Sequence, residues 1–195
     1  LRHVILHATP AEWNGTQAVM MTFEDVTEFR RTHDQLRRLL TVDTHTGILN
    51  RAGIEHVVRR RLTEAVNDGG HMSLIAIRAE NFRYLNETRG YVPADRIMRS
   101  FVRAVKRYVD GRPGSVLGRW SEDEFIIVAQ CSGAAAVVMA KEIRGNSRDV
   151  IFSAGIADLT DGGYMSASEF IGAAYDAMCE AVKSGGNTTA LARNS

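Results

Sequence analysis

The sequence predicts a mixed α+β domain, a central sheet of short strands flanked by helices, preceded by a β-hairpin and a linker helix. Three observations carry this. From residue 43 onward, short apolar runs alternate with amphipathic stretches of helical period. In the middle of that alternation, two apolar runs at 115–119 and 125–129 are separated by only a few polar residues, the pattern of a hairpin whose strands lie in a core. Near Val26 the apolar period changes, marking the passage from strand to helix.

Residues 2–8 and 17–23 read as two strands joined by a turn around Trp13-Asn14-Gly15. A two-stranded hairpin is marginal alone, so residues 1–25 read as the tail of another domain. From there Val26, Phe29, His33, Leu36 and Leu40 recur at alternating spacings of three and four, with Arg30, Arg31, Arg37 and Arg38 between them. This heptad-like stripe, on a linker helix over 26–42, fits either a homodimeric coiled coil or a helix packed on its own domain. His33 on the stripe reads as a packing or register residue.

A turn over 43–51, rich in capping residues, leads into a basic amphipathic helix that ends near Val66. Residues 72–77 form an apolar strand and 81–88 a short helix broken at Gly90. Pro93 then opens a longer helix with Ile97, Phe101, Val105 and Tyr108 on one face. After the central hairpin come a small-residue helix at 134–143, a strand at 150–157, a helix at 166–182 and a final short strand at 188–192.

Composition bounds the function. The 195 residues, 45% hydrophobic, suffice for one full core plus an extension. A net charge of +1 argues against bulk capture of nucleic acid or membrane. Cys131 and Cys179 lie far apart in mostly apolar segments, which fits reduced, buried thiols in a cytoplasmic protein better than a disulfide framework. No apolar run approaches the roughly 18 residues of a membrane span. The chain begins mid-pattern without Met, as a piece of a longer protein would.

Chemistry concentrates at the turn of the central hairpin, where Glu122, Asp123 and Glu124 are adjacent. Three neighbouring carboxylates repel one another and need solvent, a cation or a basic partner. Taken alone, the turn is either a solvated acidic loop or part of a metal and nucleotide site.

Five motifs in order, D-x-x-T-G-x-x-N-R from Asp43, N-F-R-x-x-N-E-x-x-G from Asn81, R-W-S-E-D-E-F from Arg119, S-A-G-I-A from Ser153 and A-x-x-A-M-x-x-A-x-x-x-G-x-N from Ala174, resemble the GGDEF domain of diguanylate cyclases. The resemblance covers 43–192 and implies a nucleotidyl-cyclase-like sheet. It also implies a dimeric enzyme joining two GTP into cyclic di-GMP with Mg²⁺ held by carboxylates. The stretch Phe23-Glu24-Asp25-Val26-Thr27-Glu28 resembles the end of a PAS sensor domain and its signalling helix.

Carried over by position, Asn86 and Asp95 match the family's guanine contacts, Phe82 and Arg83 the residues beside the phosphates, and Asp123 and Glu124 the acidic half of the signature, where the resemblance implies that Asp123 is the metal ligand and catalytic carboxylate. Other positions depart from the pattern. Arg78 stands where the family has its metal-binding aspartate, and a guanidinium repels Mg²⁺. Ser121 and Glu122 replace the two glycines, Val182 and Gly186 the phosphate-binding lysine and arginine, Ala94 a glycine and Cys179 a tyrosine. Arg112 matches the arginine of the family's inhibitory product site, but Ser115 replaces its aspartate.

The expectation is therefore a catalytically inactive relative in which Arg78 takes the cation's place and pairs with Asp123 or Glu122. It would act as a GTP-binding or dimerising regulatory module between a PAS domain and an output domain, such as a phosphodiesterase. No cofactor is expected, Mg²⁺ entering only if the domain is an active cyclase. That active enzyme, and a purely structural dimerisation domain, are the alternatives.

Overall fold

The computed structural model describes residues 2–193; within them the side chains of Trp13, Asp34, Gln35, Arg37 and Asp161 lie outside the description, and so does the part of the stripe and turn readings that rests on Trp13 and Arg37. The chain divides into two compact units, Leu1–Leu40 and Thr41–Ser195.

In the first unit, β1 (Val4–Trp13) and β2 (Thr16–Asp25) pair antiparallel and α1 (Thr27–Thr41) follows. Both strands run beyond the predicted apolar stretches. The two-residue turn Asn14-Gly15, with φ of 50° and 72°, closes the pair at Trp13↔Thr16 and carries Pro10 and its polar neighbours into the ladder. That register sets Leu6, Val19, Met21 and Phe23 on one exposed face. The helix is tied to the hairpin at its start: Val26 N donates to His3 O (2.9 Å), and the buried Thr27 hydroxyl accepts from His3 N (2.8 Å). Along α1, Phe29, Leu36 and Leu40 are exposed, and Phe29 stacks on His33 at 6.3 Å.

The second unit holds α2 (Arg51–Asp68), β3 (Ser73–Ala79), α3 (Phe82–Arg89), α4 (Tyr91–Asp110), β4 (Val116–Arg119), β5 (Glu124–Ala129), α5 (Gly133–Gly145), β6 (Phe152–Asp158), α6 (Leu159–Gly162), α7 (Ala167–Lys183) and β7 (Thr189–Leu191). The sheet order is β4-β5-β3-β6-β7, antiparallel except for the parallel pair β6/β7. Helix α4 begins two residues before Pro93, which the first turn tolerates because its amide has no intrahelical partner there. The single turn α6 was not anticipated: four residues are too few to show a helical period, and the Asp158 carboxylate sets it by accepting from Thr160 N (2.9 Å).

Alternation along the strands builds two cores. Ile75, Ile77, Phe125, Ile127, Phe152 and Ile156 face α3, α4 and α5, with Phe101 set against Phe125 and Phe152 at ring separations of 6.0 and 5.8 Å. Leu74, Ala76, Ile126 and Val128 face α2 and α7, where Ile54, Val58, Phe170 and Met178 are fully buried. Among the described residues no helix is long and apolar enough to cross a membrane. Cys131 and Cys179 are free, and each is half-buried rather than enclosed as the sequence suggested.

Helix α7 rests directly on β6 at Gly155, where a β-carbon would overlap the backbone of Ala174, Ala177 and Met178. The sheet face carrying α7 depends on this close approach. Gly155→Ala is expected to destabilise the domain by about 3 kcal/mol in urea denaturation; a loss under about 1 kcal/mol would mean that α7 can back away from the sheet.

Candidate functional site

The acidic turn joins β4 to β5 and lies beside the end of β3. Arg78 and Glu124 are direct cross-strand partners, so both side chains leave the sheet on the same face, the one covered by α7. The expected ion pair therefore forms with Glu124, not with Asp123 or Glu122. Asp123 precedes the strand and spends its carbonyl on Ala79 N (2.9 Å), while Glu122 sits at the exposed tip. Arg78 Nε and Nη2 donate to Glu124 Oε1 at 3.0 and 2.5 Å. From α7, the Tyr175 hydroxyl accepts from Arg78 Nη2 (2.8 Å) and donates to the same oxygen (3.2 Å). Glu124 Oε2 accepts from Ser121 Oγ (3.0 Å).

Both oxygens of Glu124 are thus engaged, with its side chain only 12% exposed. Burial alone would lower the pKa of Arg78; the hydrogen bond and charge of Glu124 outweigh it and raise the pKa. Burial and the neighbouring carboxylate likewise push the Tyr175 phenol up, keeping it a donor. Mg²⁺ needs several hard oxygen ligands in octahedral array. Here the candidate ligand Asp123 accepts from Ser121 Oγ (3.3 Å), a guanidinium is fixed on the adjacent Glu124, and among the described residues no group of three or more His, Cys, Asp or Glu is placed to hold an ion. The arrangement does not fit the metal.

The other side of the turn is held by Arg119, at the end of β4. Its Nε donates to Ser121 O (3.1 Å), its Nη2 to Glu122 O (2.8 Å) and its Nη1 to Asp43 Oδ1 (3.2 Å). Asp43 also accepts from Thr46 N and Oγ1 at 2.8 and 2.5 Å. Burial would raise the Asp43 pKa, but these hydrogen bonds and the Arg119 charge win and hold it below the usual carboxylate range. Arg51 lies over the Trp120 ring at 4.3 Å.

The candidate nucleotide residues lie on the α3–α4 hairpin. Asn86 falls in the second half of α3, and Asp95, near the start of α4, pairs with Arg99 at 2.6 Å. Phe82 is buried in the core, and Arg83 points outward, 92% exposed, beside Glu87. Ala94 is fully buried. Val182 is half-buried in α7. Gly186 has φ of 74° and sits against the Glu80 carboxylate, whose Oε1 accepts from Asn187 N (2.9 Å) and from the Ser153 hydroxyl. Arg112, the inhibitory-site match, is bound within the chain: it pairs with Glu142 (2.9 Å) and lies over the Tyr108 ring at 3.5 Å. Burial and the hydrogen bond to Glu142 push the Tyr108 phenol up to about 12.

Tyr175, Glu80, Glu142 and the pairing role of Arg119 were not singled out from sequence. Each acts through a partner 30 or more residues away, so only the strand register and helix packing bring it to the site.

Two outcomes are expected. Arg78→Ala, which leaves Glu124 partly buried without its counter-charge, should destabilise the domain by about 2 to 3 kcal/mol, and Tyr175→Phe by about 1 kcal/mol. A double-mutant cycle in urea should show the two to be non-additive, whereas simple additivity would mean that Tyr175 does not support the pair. For Asp43, a lowered folded pKa means that its stabilisation is present above the unfolded value near 3.9 and disappears as pH falls through the folded one. The stability difference between the unmodified chain and Asp43→Asn should therefore shrink below about pH 4, as measured by denaturation across pH 2 to 7.

Residues 40–188 match the family model described as "Diguanylate cyclase, GGDEF domain". The chain is 27% identical over 127 residues to diguanylate cyclase DgcM of Escherichia coli, covering 65% of this chain and 30% of that protein. It is 28% identical over 120 residues to the cyclic di-GMP phosphodiesterase PdeR of Escherichia coli, covering 61% and 18%. It thus spans less than a third of either relative. Among solved structures, the coiled coil and GGDEF domain of DgcB from Caulobacter crescentus, in complex with c-di-GMP, superposes with a TM-score of 0.77 at 20% identity over 86% of this chain and 93% of that one, a likeness of fold. By the family model and the fold together, this chain belongs to the GGDEF domain family, and its signalling domain is related to diguanylate cyclases.

Proposed function

We propose that this is a GGDEF domain without cyclase activity, a regulatory module in cyclic di-GMP signalling. The saturation of Glu124 by Arg78, Tyr175 and Ser121 carries the reading: it supplies the acidic turn with a fixed internal cation where the family's chemistry uses a mobile external one. Val182 and Gly186, which place no cation near the phosphates, support it from the other end of the site. GTP then meets the base-side residues Asn86 and Asp95 with Phe82 and Arg83 beside the phosphates, and binds weakly, its phosphates facing Glu122. Residues 1–25 are the end of a PAS-like sensor domain, and the α1 stripe makes a homodimer that passes its signal on, in the cytoplasm, to an output domain of phosphodiesterase type. PdeR, a relative named as a phosphodiesterase, supports that last step.

A second reading, an active diguanylate cyclase, is favoured by relatives such as DgcM and DosC that carry that name. Incubation of the purified chain with GTP and Mg²⁺, followed by chromatography, separates the two. The first expects no cyclic di-GMP above background; product formation would establish the second. In calorimetry at low salt, Glu122→Gly is expected to tighten GTP binding roughly fivefold by removing a like charge from the phosphates. Unchanged affinity would remove Glu122 from the site.

A further inference from the structure

We propose that the exposed face of α4 is a docking surface for an anionic lipid bilayer, with Arg96, Arg103 and Arg107 as its cationic ridge. The proposal goes beyond the relay reading and does not depend on whether the signature is active.

The overall charge of +1 conceals how the charges are sorted. Residues 82–112, which make α3, α4 and the turn after them, hold eight Lys and Arg against three Asp and Glu. Each of those three carboxylates is already paired: Glu87 with Arg83, Asp95 with Arg99 and Asp110 with Lys106. Arg112 is taken by Glu142. That leaves Arg89, Arg96, Arg103 and Arg107 exposed, with no ion pair or side-chain hydrogen bond among the described residues.

Helical geometry turns three of these four into a row. At about 100° per residue, Arg96, Arg103 and Arg107 fall within roughly 40° of one another around α4, along about 16 Å of its length. They lie opposite Met98, Val105 and Val109, which are buried in the core, so the row is the crest of the helix. The paired ions Arg99, Lys106 and Asp110 flank it on one side. On the other, across a hollow of 190 Å³ lined by Ser100 and Ala104, stands Arg148 from the loop before β6. Val92 continues the row one turn before Arg96, and both it and its neighbour Tyr91 are exposed.

A solvated helix face commonly interleaves charges of both signs and pairs them. Here the signs are sorted instead, and the unpaired guanidiniums occupy the crest. On the other face of the sheet, α7 exposes Glu169, Asp176 and Glu180. An anionic plane therefore attracts the α4 side and repels the α7 side, which orients the domain. A guanidinium grips phosphate oxygens in pairs and is more weakly hydrated than an ammonium. The surface suits a bilayer better than nucleic acid. Helix α4 holds no Asn or Gln to read base edges, and its exposed Tyr91 and Val92 suit the headgroup layer, where aromatic side chains collect.

Co-sedimentation of the whole chain with vesicles tests this, without nucleotide or metal and so independently of the product assay. The chain is expected to bind phosphatidylcholine vesicles containing about one-third phosphatidylglycerol but not phosphatidylcholine alone, and to be released as salt is raised. Each basic residue near an anionic surface strengthens binding about fivefold, so Arg96→Gln, Arg103→Gln and Arg107→Gln together should cost about a hundredfold in partition coefficient. The same three positions changed to Lys should keep binding within about threefold, because the charge remains. Changing Arg30, Arg31 and Arg38 of α1 to Gln, an equal loss of exposed charge elsewhere, should also leave binding within about threefold. All these side chains are exposed, so urea midpoints serve as the check that the fold is kept. Equal affinity for neutral vesicles, no loss in the α4 glutamine variant, or an equal loss in the α1 variant would overturn the proposal. Loss on change to Lys would overturn it too, in favour of a site for one bidentate anion. Ridge-dependent capture of a DNA duplex without binding to vesicles would assign the ridge to nucleic acid instead.

Discussion

The pair of Arg78 with Glu124 is the interaction on which the rest of the site depends. Three carboxylates in succession repel one another, and a fixed positive charge against the most buried of them offsets that repulsion without an ion from solution. Removing two charges from water costs several kcal/mol, and their attraction returns this only when geometry is good and the spare hydrogen-bonding groups are satisfied. Tyr175 and Ser121 supply that satisfaction, one from α7 and one from the turn itself. The pair is therefore built into the packing of α7 on the sheet, and Gly155, by letting α7 approach, is part of its support.

The same solution recurs around the domain. Arg119 is neutralised by Asp43, Arg112 by Glu142 and Asp95 by Arg99, while Glu80 takes up the space and the amides beside Gly186. At several positions where the family resemblance would place a ligand contact, Arg78, Asp95 and Arg112 among them, the charged group of this chain already has a partner within the chain. Ion pairs of this kind cost little to keep when half-exposed and hold side chains in place when less exposed. The distribution favours a domain whose charges serve its shape, and it leaves Glu122 at the tip as an acidic group facing solvent.

The first unit has the opposite character. Its hairpin sets Leu6, Met21 and Phe23 on one exposed face, and its helix exposes Phe29, Leu36 and Leu40, so its apolar surface is largely unsatisfied within the unit. A two-stranded ribbon does not hold such a face in water by itself. The stripe along α1 and the face of the hairpin are the exposed apolar surfaces that the proposed sensor and dimer contacts would use.

Much of this was legible in the chain's residues. Period two and period three-and-four separated strands from helices, Asn14-Gly15 marked the place of a turn though not how tightly it closes, and Arg78 was visible as a cation in a carboxylate's position, because local pattern depends only on neighbours in sequence. The choice of Glu124 over Asp123 as its partner was not legible. Adjacent residues in a strand point to opposite faces, so a shift of one position in the pairing of β3 with β5 would exchange the partners, and only the assembled sheet sets that register. Tyr175, Glu80 and Glu142 were hidden for a related reason: each reaches the site from an element distant in sequence. By itself, the sequence determined the family and the location of the charges; the tertiary structure decided which charges meet, because pairing depends on register and helix packing that form only when the sheet closes.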